Sequence, residues 1–251
     1  MFTPGSGRGD GIPSLRRLLL VPFMRGWAAY RKADRTQWAP RPRDATTVTT
    51  VGPDPDRVLI FGSGGAVGWG VLTNELALPG ALGRELTRRT GRGTIVELVA
   101  DTSITAGNAV PLMNAIDISR FDAIVLVLGA NDAARLTELA KWKHRIQNVV
   151  DHLSENSPTP TLTFLTGIPP WAPIPRFGRV GRVVAAHARH MNNITARICD
   201  SRLDSTFVPL AGAEPSHAFK LRDRQSYRIV ADTIADVFAP RLDDARSQTG
   251  A

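Results

Sequence analysis

The stretch Phe121-Asp122-Ala123-Ile124-Val125-Leu126-Val127-Leu128, followed by Gly129-Ala130-Asn131-Asp132, carries the architecture of this chain. Its centre is apolar at every position, so neither face of the strand alternates with polar residues. A strand of that kind is buried on both sides, as a central parallel strand between two helical layers is. Working outward, similar short runs occur at Arg57–Phe61, Thr94–Val99, Thr161–Thr166 and Ser205–Leu210. Segments of helical spacing lie between and after them at Leu78–Thr90, Val110–Ile116, Leu139–Leu153, Val183–Ile198 and Ser226–Phe238. Gly91 follows the first of these as a stop signal. Strands separated by helix-length segments predict a parallel sheet with right-handed crossovers and helices on both faces. In such sheets ligands meet the loops just past the carboxyl ends of the strands.

The bulk composition is that of a soluble globular domain, with 43% apolar and 22% charged residues among 251. The single cysteine, Cys199, excludes an internal disulfide and reads as a small buried apolar residue. Of the net charge of +8, most lies between Ser14 and Arg43, where eight basic residues face one acid, Asp34. No nucleic-acid motif accompanies this cluster, so no nucleic-acid partner is expected. The apolar run Leu18–Met24 is too short to cross a bilayer and lacks a cleavage site of small residues. Residues 14–32 therefore read either as a basic amphipathic segment on an anionic membrane surface or as a helix packed on the domain or a partner. Prolines at 40, 42, 53 and 55 suggest a linker over Thr36–Asp56. The expected organisation is a basic segment and linker over 1–56, an α/β domain over 57–242 and a disordered tail over 243–251. A cytoplasmic, membrane-peripheral location suits this layout.

The loops after the strands resemble the blocks of the SGNH/GDSL hydrolases. The first block is Phe61-Gly62-Ser63-Gly64-Gly65, with Gly68-Trp69-Gly70 beyond it; the third, Gly129-Ala130-Asn131-Asp132, matches Gly-x-Asn-Asp completely. The turn Gly167-Ile168-Pro169-Pro170 and the helix start Tyr227-Arg228-Ile229-Val230-Ala231 also suit the family. The resemblance spans about Arg57 to Leu242 and implies a three-layer α/β/α sandwich around a central parallel, flavodoxin-like sheet. It also implies a serine hydrolase acting on small-molecule acyl esters, with no cofactor and no metal.

In that family a serine after the first strand attacks an acyl carbonyl, a C-terminal histidine takes its proton, and glycine N–H groups with an asparagine amide hold the oxyanion. Carried onto this chain, Asn131 takes the asparagine position. In family register Ser63 falls on the aspartate and Gly64 on the nucleophilic serine. Ser63 is nonetheless the candidate nucleophile, because the glycines after it allow a rebuilt turn. The competing reading is that Ser63 satisfies loop backbone, or that the glycine loop holds an anion. Ser103, in Asp101-Thr102-Ser103, stands at the second-block glycine. Counting back from Tyr227 places Leu221 at the histidine position, while Glu214-Pro215-Ser216-His217 has the acid-x-x-His form four residues early. The expected catalytic set is Ser63, His217, Glu214 and Asn131, with Gly62, Gly64, Ser103 and Gly129 around the oxyanion. His144, His152, His187 and His190 are expected to be solvated. The alternative is a catalytically inactive SGNH-fold protein that binds a ligand or another protein.

Overall fold

The computed structural model describes residues 40–157, 161–169, 178–210 and 223–249. The basic segment at 14–32, with Glu214, His217 and Leu221, lies outside them. Among the described residues six strands form one sheet: β1 (Thr47–Thr50), β2 (Asp56–Gly62), β3 (Thr94–Ala100), β4 (Ala123–Val127), β5 (Leu162–Thr166) and β6 (Ser205–Val208). Their order is β1-β3-β2-β4-β5-β6. β2 to β6 run parallel, and β1 joins the edge antiparallel to β3.

Six α-helices among the described residues accompany the sheet: α1 (Leu78–Thr90), α2 (Ala109–Met113), α3 (Ala130–Ala134), α4 (Leu139–Glu155), α5 (Gly178–Asp200) and α6 (Arg224–Thr249). β4 shows why the sheet is central. Ile124 and Leu126 enter one apolar core with Trp142, Ile146, Val184 and Met191 of α4 and α5. Ala123 and Val125 enter the other, with Leu82, Leu86, Ile234 and Phe238 of α1 and α6. The α/β/α sandwich expected from the sequence is the observed fold. α1 carries Pro79 in its first turn and ends where Gly91, at φ 72°, donates its N–H to Thr87 O.

Two expected boundaries are corrected. The stretch read as a linker contains β1, because its β-branched run Thr46–Val51 outweighs the flanking prolines. Thr50 secures it: its hydroxyl lies 2.6 Å from that of Thr87 and accepts the Thr94 N–H at 3.1 Å. The stretch read as a disordered tail continues α6 through Pro240. Arg246 there reaches Asp54 at 2.6 Å and Asp56 at 3.2 Å, while Asp243 bonds Arg92 at 2.7 Å. No helix among the described residues is long and apolar enough to cross a membrane.

Candidate active site

The site grows from the carboxyl end of β2. Gly62 lies opposite Ala100 of β3 and Val127 of β4. Its φ of 146° and a Cβ that would stand 2.1 Å from Val127 O make glycine obligatory there. Ser63 follows in extended conformation and donates its N–H to Val127 O at 2.9 Å. Gly64, at φ 63°, then opens a 3₁₀ turn over Gly64–Val67. The Ser63 side chain is buried, and its Oγ has no hydrogen-bond partner among the described residues.

The loop after β3 lies beside this turn, since Asp101 donates its N–H to Gly62 O at 3.1 Å. Asp101 Oδ1 accepts both the Ser103 N–H, at 2.8 Å, and the Ser103 hydroxyl, at 2.6 Å. Those two bonds hold the Asp101 carboxyl below its ordinary value. Ser103 is exposed, and its hydroxyl proton is committed to this turn.

After β4 the chain turns at Gly129, whose φ of 99° again calls for glycine. A Cβ there would meet Ile168 Cδ1 at 2.5 Å. Asn131 sends both amide hydrogens to the neighbouring loop, to Thr102 O at 2.9 Å and Ile104 O at 2.8 Å. Asp132 continues the clamp, its Oδ2 accepting the Ala106 N–H at 3.1 Å. Burial pushes the Asp132 carboxyl up from 3.8, although Arg145 lies 3.4 Å from Oδ1. Asn131 and Asp132 thus fasten the β3 loop to the β4 loop at three points.

Ser63, Ser103 and Asn131, with Gly62, Gly64 and Gly129, all lie at the carboxyl ends of the parallel strands β2, β3 and β4. A Cβ on Gly64 would lie 3.5 Å from Ala130 Cβ, so the first and third blocks touch. Across the second core, Tyr227 of α6 donates its hydroxyl to Trp69 O at 2.9 Å and ties the last helix to the turn after Ser63. Asp132 is the residue sequence reasoning undervalued; its place beside Asn131 in Gly-x-Asn-Asp was the available signal. His187 corrects another expectation. It is buried, with Nε2 2.7 Å from Thr137 O, because its position on α5 faces the core rather than solvent. Cys199 is buried as expected, and its thiol is pushed up to about 12 by that burial.

Phe61-Gly62-Ser63-Gly64 at the end of the first parallel strand and Gly-x-Asn-Asp after the third, on neighbouring loops at the carboxyl ends of the strands of an α/β/α sandwich, are the arrangement of the SGNH class of proteins. The model of the GDSL-like lipase/acylhydrolase family matches residues 60–233, and the chain belongs to that family. A sequence comparison with curated proteins returned no match. Among solved structures, the fold is similar to that of a lipase/acylhydrolase from Enterococcus faecalis, at 14% identity and a TM-score of 0.59, covering 74% of this chain and 96% of that one. It is similar to the lipase Lip_vut3 from a goat rumen metagenome, at 13% identity and a TM-score of 0.55, covering 74% and 99%. It is also similar to the psychrotrophic esterase EstA from Pseudoalteromonas sp., determined inhibited by monoethylphosphonate, at 16% identity and a TM-score of 0.53, covering 75% and 99%. At these identities the likeness is one of fold.

Proposed function

We propose that this chain hydrolyses carboxylic esters by covalent acyl transfer, with Ser63 as nucleophile, His217 as general base, Glu214 orienting that histidine, and Asn131 with the glycine loop N–H groups holding the oxyanion. Ser63 Oγ attacks the acyl carbon while His217 takes its proton. The tetrahedral intermediate collapses, and the alcohol leaves with the proton from His217. Water then attacks the acyl-serine by the same route and releases the acid. The observation that carries this reading is the Ser63 hydroxyl, buried at a strand end and without a hydrogen-bond partner among the described residues, while the nearby Ser103 hydroxyl is bonded to Asp101. A buried hydroxyl without a partner costs about 1–3 kcal/mol, a cost that a bond to a catalytic base would offset.

A second reading, a non-catalytic SGNH-fold binding protein, is favoured by Gly64 at the family's serine position and by the committed amide of Asn131. One experiment separates the two. The full chain is incubated with a fluorophosphonate and with 4-nitrophenyl butyrate. Hydrolysis reads positive if the adduct maps to Ser63 and Ser63→Ala abolishes turnover. An adduct on Ser103 removes Ser63 from the reaction, and neither adduct nor turnover supports the binding protein.

A further inference from the structure

We propose that residues 14–43 hold the carboxyl ends of the parallel strands against an anionic bilayer, a docking surface that stands whether or not Ser63 reacts. Between Ser14 and Asp44 the sequence carries eight basic residues against two acids, Asp34 and Asp44. Five of the eight, Arg16, Arg17, Arg25, Arg31 and Lys32, surround the apolar run Leu18–Met24 and Trp27 with no acid among them. Basic groups for lipid phosphates and carboxylates, beside leucine, phenylalanine and tryptophan for the acyl boundary, are the composition of an interfacial segment. Residues 14–32 lie outside the described structure, but the place where their chain meets the domain lies within it.

The described chain starts at Pro40, and Pro40–Pro42 is seated on the turn after Ser63. Two hydrogen-bonded turns lead from Ser63 to Gly68: Ala66 donates its N–H to Ser63 O at 3.2 Å, and Gly68 donates to Gly65 O at 3.4 Å. Gly70 then donates to Pro40 O at 2.7 Å, and a Cβ on Gly68 would lie 2.8 Å from the Pro42 ring. Asp44 fixes the far side of this stretch by accepting the Asn74 N–H at 3.0 Å. Arg41 and Arg43, the last two basic residues of the cluster, are exposed on either side of Pro42. The basic sequence therefore joins the domain at the carboxyl ends of the strands and not at their amino ends. Pro40 follows Lys32 by eight positions, a tether of at most about 30 Å when fully extended. A bilayer that takes up residues 14–32 thus draws this end of the domain toward it. Asp44, Asp101 and Asp223 stay ionised at the same end, so the attraction comes from the surplus in the segment and not from the domain's own surface. Leu72, two positions past Gly70, is 69% exposed while Val71 is buried. A single exposed leucine marks nothing by itself; here it stands in the turn on which the tether is seated.

The test uses the full chain and vesicles of phosphatidylcholine with or without one quarter phosphatidylserine. The chain should sediment with the anionic vesicles at least about tenfold more strongly than with the neutral ones, and the difference should collapse in 0.5 M NaCl. Replacing Arg16, Arg17, Arg25, Arg31 and Lys32 together by Gln should abolish the preference. The docking end is read with an environment-sensitive fluorophore on Leu72→Cys or, in a second protein, on Leu203→Cys, a residue 93% exposed just before β6 and so at the amino ends of the strands. Cys199 is buried, with its thiol pushed up to about 12, and does not compete for the label. Anionic vesicles should brighten and blue-shift the label at position 72 and leave that at 203 unchanged. Equal sedimentation with both vesicles, none with either, or a preference that survives the five substitutions overturns the inference and leaves residues 14–32 packed on the domain or on a partner. Binding in which the label at 203 responds as strongly as that at 72 overturns the docking end. None of these readouts depends on ester turnover, so the hydrolase reading can fail without them.

Discussion

The side-chain nitrogen of Asn131 lies 2.8 Å from the carbonyl oxygen of Ile104, and its second hydrogen goes to Thr102 O at 2.9 Å. Two carbonyls of the β3 loop therefore depend on one amide. The residue that the family's chemistry assigns to the oxyanion is, in this conformation, a fastener between two loops.

Asn131→Ala should lower stability by about 1–3 kcal/mol, because two loop carbonyls lose their donor. In a chain of this size that is a fall in melting temperature of about 2–4 °C per kcal/mol. If Asn131 also serves the oxyanion, kcat for an ester should drop by about 100- to 1000-fold with little change in KM. Thermal melting and steady-state kinetics on the same preparation separate the roles. A melting shift without a rate effect leaves the residue as a fastener alone.

The glycines around Ser63 should respond unequally. Gly62→Ala drives a Cβ to 2.1 Å from Val127 O, in the ladder itself, and should cost upward of about 3 kcal/mol or prevent folding. Gly64→Ser meets only Ala130 Cβ at 3.5 Å, so its cost should be limited to about 1–2 kcal/mol for a left-handed backbone. Denaturant midpoints of the two variants test the order, and a Gly62→Ala protein as stable as the parent would contradict the geometry.

Asp132 tests burial against bonding. Asp132→Asn keeps an acceptor for the Ala106 N–H and should change stability at neutral pH by less than about 1 kcal/mol. Asp132→Ala leaves that buried N–H unpaired and should cost about 1–3 kcal/mol. The sign with pH follows from the raised carboxyl. The folded state holds this proton more tightly than the unfolded chain, so the group's contribution is most favourable below 3.8. It declines as pH rises through the raised value. Melting curves of parent and Asn variant should diverge over that window and run parallel above it.

Asp223 gives the opposite sign. It caps α6 through the N–H of Ser226 and then its hydroxyl, bonds that hold its carboxyl below 3.8. Its stabilisation is fully present above 3.8 and disappears as pH falls through the depressed value. Asp223→Ala should cost about 1 kcal/mol near neutral pH and approach the parent in strong acid. A difference that persists unchanged into strong acid would remove the ionised cap from the account.

What the sequence determined unaided was the sheet and the order of its loops. Ala123–Leu128 is apolar at every position, and that local fact suffices to bury a strand between two layers. Gly-x-Asn-Asp after it likewise marked the end of the sheet where the loops that carry Ser63 and Asn131 approach each other. Tertiary structure alone decided the rest, because each outcome depends on groups far apart in the chain. Thr47–Thr50 became a strand by pairing with Thr94–Glu97, and α6 ran on to Thr249 with Arg246 bonded to Asp54, 192 positions away. Asn131 reads the same in sequence whether its amide waits for an oxyanion or holds Thr102 and Ile104. His187 reads as one more polar position on a helix until α5 turns it onto Thr137 O. Periodicity specifies which elements form. It does not specify which hydrogen bond a side chain takes once several elements compete for it, since that choice is made by distances set only when the layers pack.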